Sequence, residues 1–282
     1  MVDVYVVSAF CKDGRGGNKA GVVLDHQDLV PAEMTAIAKE LGCSETAFVM
    51  PSDTADFKLR YFTPTEEVPL CGHATIATFS ILHLLGRLSR HNYKIETKAG
   101  TLNILLDDDG MIFMEQNRPA YFETLKPNVF VGCVEGSFID AALPIQIVST
   151  GLKDIMLPID SKNHLEQLNP NFKSMSDLCR DKDVVGIHAF TLIKDAQTTA
   201  VCRNFAPLYG IDEESATGTS SCALACYLFK YYKQQSQYIF EQGLNLGSAS
   251  KLVVNIAHHN NTIDAVYIGG YGCLICKKTL PI

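Results

Sequence analysis

The alternation of apolar and polar positions divides this chain into two runs of elements in the same order. In the first half, apolar residues at helical spacing in "PAEMTAIAKELG" (31–42) predict an amphipathic helix, and "SETAFVM" (44–50) and "FKLRYFTP" (57–64) read as strands. The run "LCGHATIATFSILHLL" (70–85) then predicts a buried helix opened by a Cys-Gly-His triplet. In the second half, "MSDLCRDKD" (175–183) precedes the strands "GIHAFTLI" (186–193) and "TAVCRNFAP" (199–207), and "ATGTSSCALACYLFKYY" (216–232) predicts another helix. Ala47-Phe48 corresponds to Ala189-Phe190, Arg60-x-Phe62-x-Pro64 to Arg203-x-Phe205-x-Pro207, and Gly72 to Gly218, each about half a chain apart. Strands mixed with helices in a repeated order predict two similar α/β halves related by a pseudo-twofold axis. The expected halves are residues 1–120, to which a tail from about 265 to 282 returns, and residues 121–264.

That organisation carries a chemical expectation. Each half ends a strand, turns, and starts a helix with small polar residues. Helix starts present unpaired N–H groups and partial positive charge. Two such starts across a cleft between the halves would suit a small carboxylate. A pair of capped core helices is the plain alternative.

Composition narrows the class. The 282 residues, 47% of them hydrophobic, suffice for a large core, and the net charge of −7 disfavours phosphate backbones, so no nucleic-acid partner is expected. No apolar stretch reaches the roughly 18 residues of a membrane helix, and "MVDVYVVSAF" lacks the basic start of a signal peptide. The expectation is a cytoplasmic protein without a membrane partner. The ten cysteines lack framework spacing and read as reduced core thiols. The single Cys-x-x-Cys, Cys273 to Cys276, has no second ligand pair, so no zinc site is expected there.

Three places stand out as candidate chemistry. Cys71 and His73 open the first buried helix; a helix start favours a thiolate, and a polar ring at that position needs a partner. Zinc ligation by this pair lacks a recognisable third ligand in the sequence. Glu45 stands at the mouth of an apolar strand, where burial would raise its pKa into the range of a general acid or base, unless it simply faces water. Asn18 follows Gly16-Gly17 in "GGNKAGVVL", a turn that permits close ligand approach. No dinucleotide fingerprint, P-loop or serine elbow occurs, so no nucleotide cofactor is expected.

The segments "SAF…GGNKAGVVL", "SETAFV", "LRYFTPTEEVPLCGHATIAT", "RNFAP…GIDEESATGTSSCALA" and "EQGLNLGSASKLVV" together resemble the phenazine-biosynthesis PhzF-like family, from about residue 8 to about residue 253. The resemblance implies the diaminopimelate-epimerase-like fold: two pseudo-symmetric domains, each a mixed β-sheet wrapped around a central helix, with the active site between them. It also implies a homodimer without cofactor or metal. The best-known family member isomerises trans-2,3-dihydro-3-hydroxyanthranilate. Residue by residue, Glu45 matches the family's catalytic acid/base and His73 its active-site histidine. Asn18 matches the Asn of the family's Gly-Gly-Asn, near the substrate, and Glu214 stands where the family has Asp; Gly72, Gly218 and Thr219 are expected to bind the substrate anion through the amides of the two helix starts. Ser215 replaces the family's Pro, Thr219 its Ser, and Lys19 the Pro after Gly-Gly-Asn.

One further reading follows from residue types. The related racemases and epimerases place a Cys at each helix start, because inversion needs a base on one face and an acid on the other. Cys71 fits the first position, but the second half offers Ala216-Thr217-Gly218 instead. A two-thiol racemase is therefore disfavoured, and the leading expectation is a proton shift on a small carboxylate-bearing metabolite, carried by Glu45. Cys71 then becomes a bystander. A Cys71-dependent epimerase or dehydratase, and a non-catalytic metabolite-binding protein, are the alternatives.

Overall fold

A computed structural model describes residues 1–26, 28–194 and 197–281. The chain is a mixed α/β protein that forms two compact units, Met1–Glu115 with Gly269–Ile282, and Gln116–Ile268. Among the described residues, no helix is long and apolar enough to cross a membrane.

The first unit opens with β1 (Val2–Ala9) and β2 (Asn18–Val23), an antiparallel hairpin. Helix α1 (Pro31–Leu41) starts on a proline and stops at Gly42 in the left-handed conformation, as its end signals require. It crosses to β3 (Glu45–Met50), which lies parallel to β2 and antiparallel to β4 (Phe57–Phe62). The short β5 (Glu67–Val68) turns the chain into α2 (Gly72–Leu84). β6 (Asn92–Thr97) pairs parallel with β4, followed by β7 (Gly100–Leu106) and β8 (Ile112–Gln116).

The second unit repeats this plan. β9 (Ala120–Leu125) and β10 (Ile145–Ser149) lead into β11 (Lys153–Pro158), antiparallel to β10. Two helices, α3 (Lys162–Gln167) and α4 (Phe172–Lys182), cross to β12 (Gly186–Leu192), parallel to β11. β13 (Ala200–Ala206) and β14 (Ile211–Glu214) deliver the chain to α5 (Gly218–Tyr231). β15 (Gln237–Gln242) pairs parallel with β13, and β16 (Ser250–His259) and β17 (Thr262–Gly270) complete the series. The closing strand β18 (Gly272–Leu280) lies antiparallel to β1 in the first unit.

Each unit buries one helix almost completely. In α2, His73 through Phe79 are all buried, and in α5 the buried run extends from Ser220 through Phe229. A helix without a polar face must be enclosed, and sheet strands of its own unit do this for each. The repeated Arg-x-Phe-x-Pro segment has the same structure in both units. Arg60 grips Glu67 with two parallel bonds of 2.8 Å and lies 5.1 Å over the Phe62 ring. Arg203 grips Glu213 at 2.9 and 2.7 Å and lies 5.0 Å over Phe205.

The second unit also buries a carboxyl group. Asp154 is 1% exposed; one oxygen accepts from Ser220 Oγ at 2.7 Å, and the other has only the Gly186 backbone N–H as a poorly aligned donor. Burial, with Glu214 adding to it, pushes this carboxyl up to about 6 against the Ser220 and Gly186 hydrogen bonds. Between about pH 4 and 6 the unfolded chain therefore loses this proton while the folded chain keeps it, so stability falls as pH rises. Above pH 6 the buried charge costs about 3 kcal/mol in total. Asp154→Asn is expected to raise the melting temperature at pH 7.5. The gain should shrink to nothing by pH 4 in thermal melts; an equal gain at both pH values would exclude the buried charge as its source.

Candidate active site

The turn before β2 places the first candidate at the start of that strand. Gly17 has φ +82°, and a Cβ there would lie 2.4 Å from the Ala9 carbonyl oxygen, so only glycine fits. Asn18 follows it, half-buried and paired with Ala9. One strand over, Ala20 stands opposite Glu45, the first residue of β3.

Cys71 precedes α2 and His73 lies in its first turn, and the fold gathers both around Glu45. His73 Nε2 lies 3.2 Å from Glu45 Oε2, an ion-pair contact without hydrogen-bond alignment, so this shielded oxygen keeps no aligned donor. Cys71 Sγ lies 3.4 Å from Nδ1 and 3.9 Å from Nε2 of the same ring. Ser44 Oγ reaches Nε2 at 3.3 Å. His73 is 8% and Cys71 7% exposed, whereas the Glu45 side chain keeps 23% exposure and thus a path to a ligand. Gly72 is the first residue of α2, and a Cβ added to it would meet nothing within 4 Å. No side-chain hydrogen bond caps this helix.

Electrostatics correct one expectation. Burial does push the Glu45 carboxyl up, but His73, Ser44 and Cys71 outweigh it and leave the group below its ordinary value. Burial alone would lower the His73 imidazole, yet the Cys71 sulfur and the Glu45 carboxylate hold it well above its usual value. Burial raises the Cys71 thiol against the opposing pull of His73. The Glu45 carboxylate and the Cys71 sulfur thus both favour a proton on His73, while burial of the thiol favours its neutral form.

The second unit arranges its helix start differently. Thr217 occupies the position before α5, but its hydroxyl donates to Glu214 Oε2 at 2.6 Å rather than capping the helix. Gln242, fully buried at the end of β15, donates to Thr217 Oγ1 at 3.0 Å and to the Glu214 carbonyl at 2.7 Å. Glu213 is committed to Arg203, so of the two adjacent acids only Glu214 sits beside the helix start. Gly218 opens α5, and the Thr219 carbonyl accepts from Thr150 at 3.0 Å.

The sequence expectations are thus placed as follows. Glu45 and His73 form one cluster with Gly72 beside it. Asn18 lies on the neighbouring strand of the same unit. Glu214, Gly218 and Thr219 lie together at the α5 start of the second unit. Cys71, set aside as a bystander on sequence grounds, is in contact with His73. Ser44 and Gln242 were not singled out by the sequence. Ser44 adjoins Glu45 and was open to suspicion, but Gln242 carries no motif signal at all.

Each unit wraps its strands around a buried helix, and the first places a carboxylate and a histidine at its helix start. The family model "Phenazine biosynthesis-like protein" matches residues 7–278, and the chain belongs to this family. It is 34% identical over 265 residues to an uncharacterised isomerase of Bacillus subtilis, covering 90% of each chain. It is 27% identical over 281 residues to the trans-2,3-dihydro-3-hydroxyanthranilate isomerase of Pseudomonas aeruginosa, covering 96% of each. The crystal structure of a PhzF-family phenazine biosynthesis protein from Bacillus anthracis superposes with a TM-score of 0.91 at 30% identity, covering 100% of this chain and 99% of that one.

Proposed function

We propose that this protein is a cofactor-independent isomerase that moves a proton between carbons of a small carboxylate-bearing metabolite, with Glu45 as the proton carrier. The observation that carries the reading is the Glu45–His73 contact at 3.2 Å beside an uncapped helix start. Glu45 is ionised in the resting state and partly open to solvent, so it can accept a proton. His73, whose proton the neighbouring carboxylate favours, stabilises that carboxylate before transfer and anionic charge on the substrate after it. The amides at Gly72–His73 and Gly218–Thr219 are proposed to hold the substrate anion, with Asn18 and Glu214 orienting it.

A single acid/base suits a proton shift on one face of the substrate. Thr217, where a second thiol would be needed for inversion, is occupied as a donor to Glu214 and an acceptor from Gln242. The relatives named as isomerases support the class of reaction. The protein is further proposed to work in the cytoplasm as a homodimer, as the family resemblance implies. The test is turnover in D₂O of a panel of small unsaturated carboxylates, beginning with trans-2,3-dihydro-3-hydroxyanthranilate, followed by NMR. Isomerised product carrying solvent deuterium supports the reading; no conversion of any member, with tight binding retained, would support a binding protein instead.

A second reading rests on the 3.4 Å contact between Cys71 Sγ and His73 Nδ1, which resembles a thiol–imidazole acid/base pair. The raised thiol and its burial weigh against it. Cys71→Ser separates the two readings. It is expected to retain activity within about tenfold if the sulfur only orients the ring. If Cys71 carried the proton, it would cost 10²-fold or more.

A further inference from the structure

The closing strand brings together two cysteines that proton transfer does not use, beside the Gly16–Gly17 turn. In the register of β1 with β18, Ser8 stands opposite Cys273, so their side chains leave the sheet on one face. Phe10, with φ +62°, then turns the chain, and the Cys11 N–H donates to the Tyr271 carbonyl at 3.0 Å. This turn folds the Cys11 side chain back onto its own strand. Its thiol donates to the Ser8 carbonyl at 3.1 Å, and its sulfur lies 3.8 Å from the Gly16 carbonyl oxygen. The Ser8 hydroxyl donates to that same Gly16 carbonyl at 2.5 Å. Ser8, Cys11 and Cys273 therefore converge at one corner, where the Cys11 and Cys273 thiols hydrogen-bond to each other. Cys11 is 3% exposed, whereas Cys273 is half-buried and open to solvent.

We infer that Cys11 and Cys273 form a site of reversible oxidative modification, at which hydrogen peroxide joins them as a disulfide and so disturbs the turn that carries Asn18. Thiols already in contact need only side-chain rotation to reach the S–S bond length of about 2.05 Å. Their surroundings set the order of events. Burial, with Cys273 adding to it, pushes the Cys11 thiol up to about 12, so the thiolate that meets the peroxide is that of the more open Cys273. As it attacks, an S–O bond forms, the O–O bond breaks, and the leaving hydroxide takes a proton as water. The Cys11 sulfur then attacks the Cys273 sulfenic acid: the S–S bond forms, the S–O bond breaks, and the Cys11 proton leaves with the hydroxide as a second water. Two thiols lose two electrons, and one peroxide gains them. The disulfide has no S–H, so the Ser8 carbonyl loses its Cys11 donor. Gly17 is packed so closely that a Cβ there would lie 2.4 Å from the Ala9 carbonyl oxygen and 2.6 Å from Ser8 Oγ. Movement of this corner therefore passes to Asn18, the next residue. An effect on turnover rests on the function proposed above; the disulfide does not.

In the test, reduced full-length protein, freed of reductant, is treated with hydrogen peroxide and its remaining thiols are blocked with N-ethylmaleimide in denaturant. Chymotrypsin then separates Cys273 from Cys276 by cutting at Leu274. Peptide mass spectrometry of the wild-type protein should find Cys11 joined to Cys273, with full recovery of both thiols after dithiothreitol. Cys11→Ser should leave Cys273 as a sulfenic acid that dimedone traps, whereas Cys276→Ser should leave the link unchanged. The backbones of Lys12 and Arg15 bond to each other in the reduced protein, at 2.9 and 3.0 Å. Their amide hydrogen exchange should quicken at least about threefold on oxidation and slow again on reduction. Absence of the link in the wild-type protein, a link through another cysteine, or oxidation of Cys273 to sulfinic acid without a link would overturn the site. Unchanged exchange at Lys12 and Arg15 would overturn its coupling to the turn. Both measurements are made without substrate, so a disulfide in a protein that converts nothing would leave the site standing and sink the isomerase reading.

Discussion

Replacing Glu45 by Gln is expected to lower turnover about 10²–10⁴-fold, the range a positioned general base contributes. The substitution keeps the size of the side chain and its place at the start of β3, but it cannot take a proton. It also removes a charge that, with the Cys71 sulfur, raises His73, so both partners of the 3.2 Å contact change at once. Because the Glu45 side chain is 23% exposed, the fold should tolerate the amide, and the melting temperature should move by little. Deuterium incorporation from D₂O must fall in parallel with turnover, since both read the same proton. Undiminished incorporation in Glu45→Gln would remove Glu45 from the role and leave Cys71 as the candidate.

The largest effect on stability is expected at Arg203. Both members of the Arg203–Glu213 pair are 8% exposed, and the same guanidinium donates to the carbonyls of Leu165 and Leu168 at 3.1 and 2.8 Å. Arg203→Met leaves a buried carboxylate without its partner, removes the Arg203 donor to the Leu168 carbonyl, and leaves the Leu165 carbonyl only the Leu168 N–H at 3.4 Å. Removal of one partner from such a pair costs about 3–5 kcal/mol. The matching Arg60–Glu67 pair is 19% and 12% exposed, and Glu67 retains Lys98 at 2.7 Å, so Arg60→Met should cost distinctly less. Replacing Glu213 by Leu in the Arg203→Met background should recover much of the loss, because no unpaired charge remains. Denaturant unfolding of the four proteins measures this; equal losses at Arg203 and Arg60 would refute burial as the deciding factor.

The two arginines also show what an internal repeat contains. The identities Arg60/Arg203 and Phe62/Phe205 are few, yet each marks the same device: an arginine clamped by a carboxylate from the next strand and stacked on the phenylalanine two residues on. The partners, Glu67 and Glu213, fall at different spacings because the second connection is longer. A repeat with unequal loops hides its paired residues from the sequence while keeping them in the fold.

Local chemistry was legible without a structure. Apolar runs with no polar face required the two buried helices, and end signals such as Pro31 and Gly42 set the limits of α1. The residue types at the helix starts also showed that a second thiol is missing at Thr217. These properties depend on neighbours along the chain, so the sequence by itself determined them. Net pKa directions, the partnership of Glu45, Cys71 and His73, and the choice of Glu214 over Glu213 depend on atoms from separate strands and helices meeting within 2.6–3.4 Å. Burial alone predicted a raised Glu45, and the His73 charge reversed that direction; Cys71 read as a bystander until its sulfur was found against the ring. Only the tertiary structure decided these points, because electrostatic interactions and hydrogen bonds act through space over a few ångströms, irrespective of how many residues of chain lie between them.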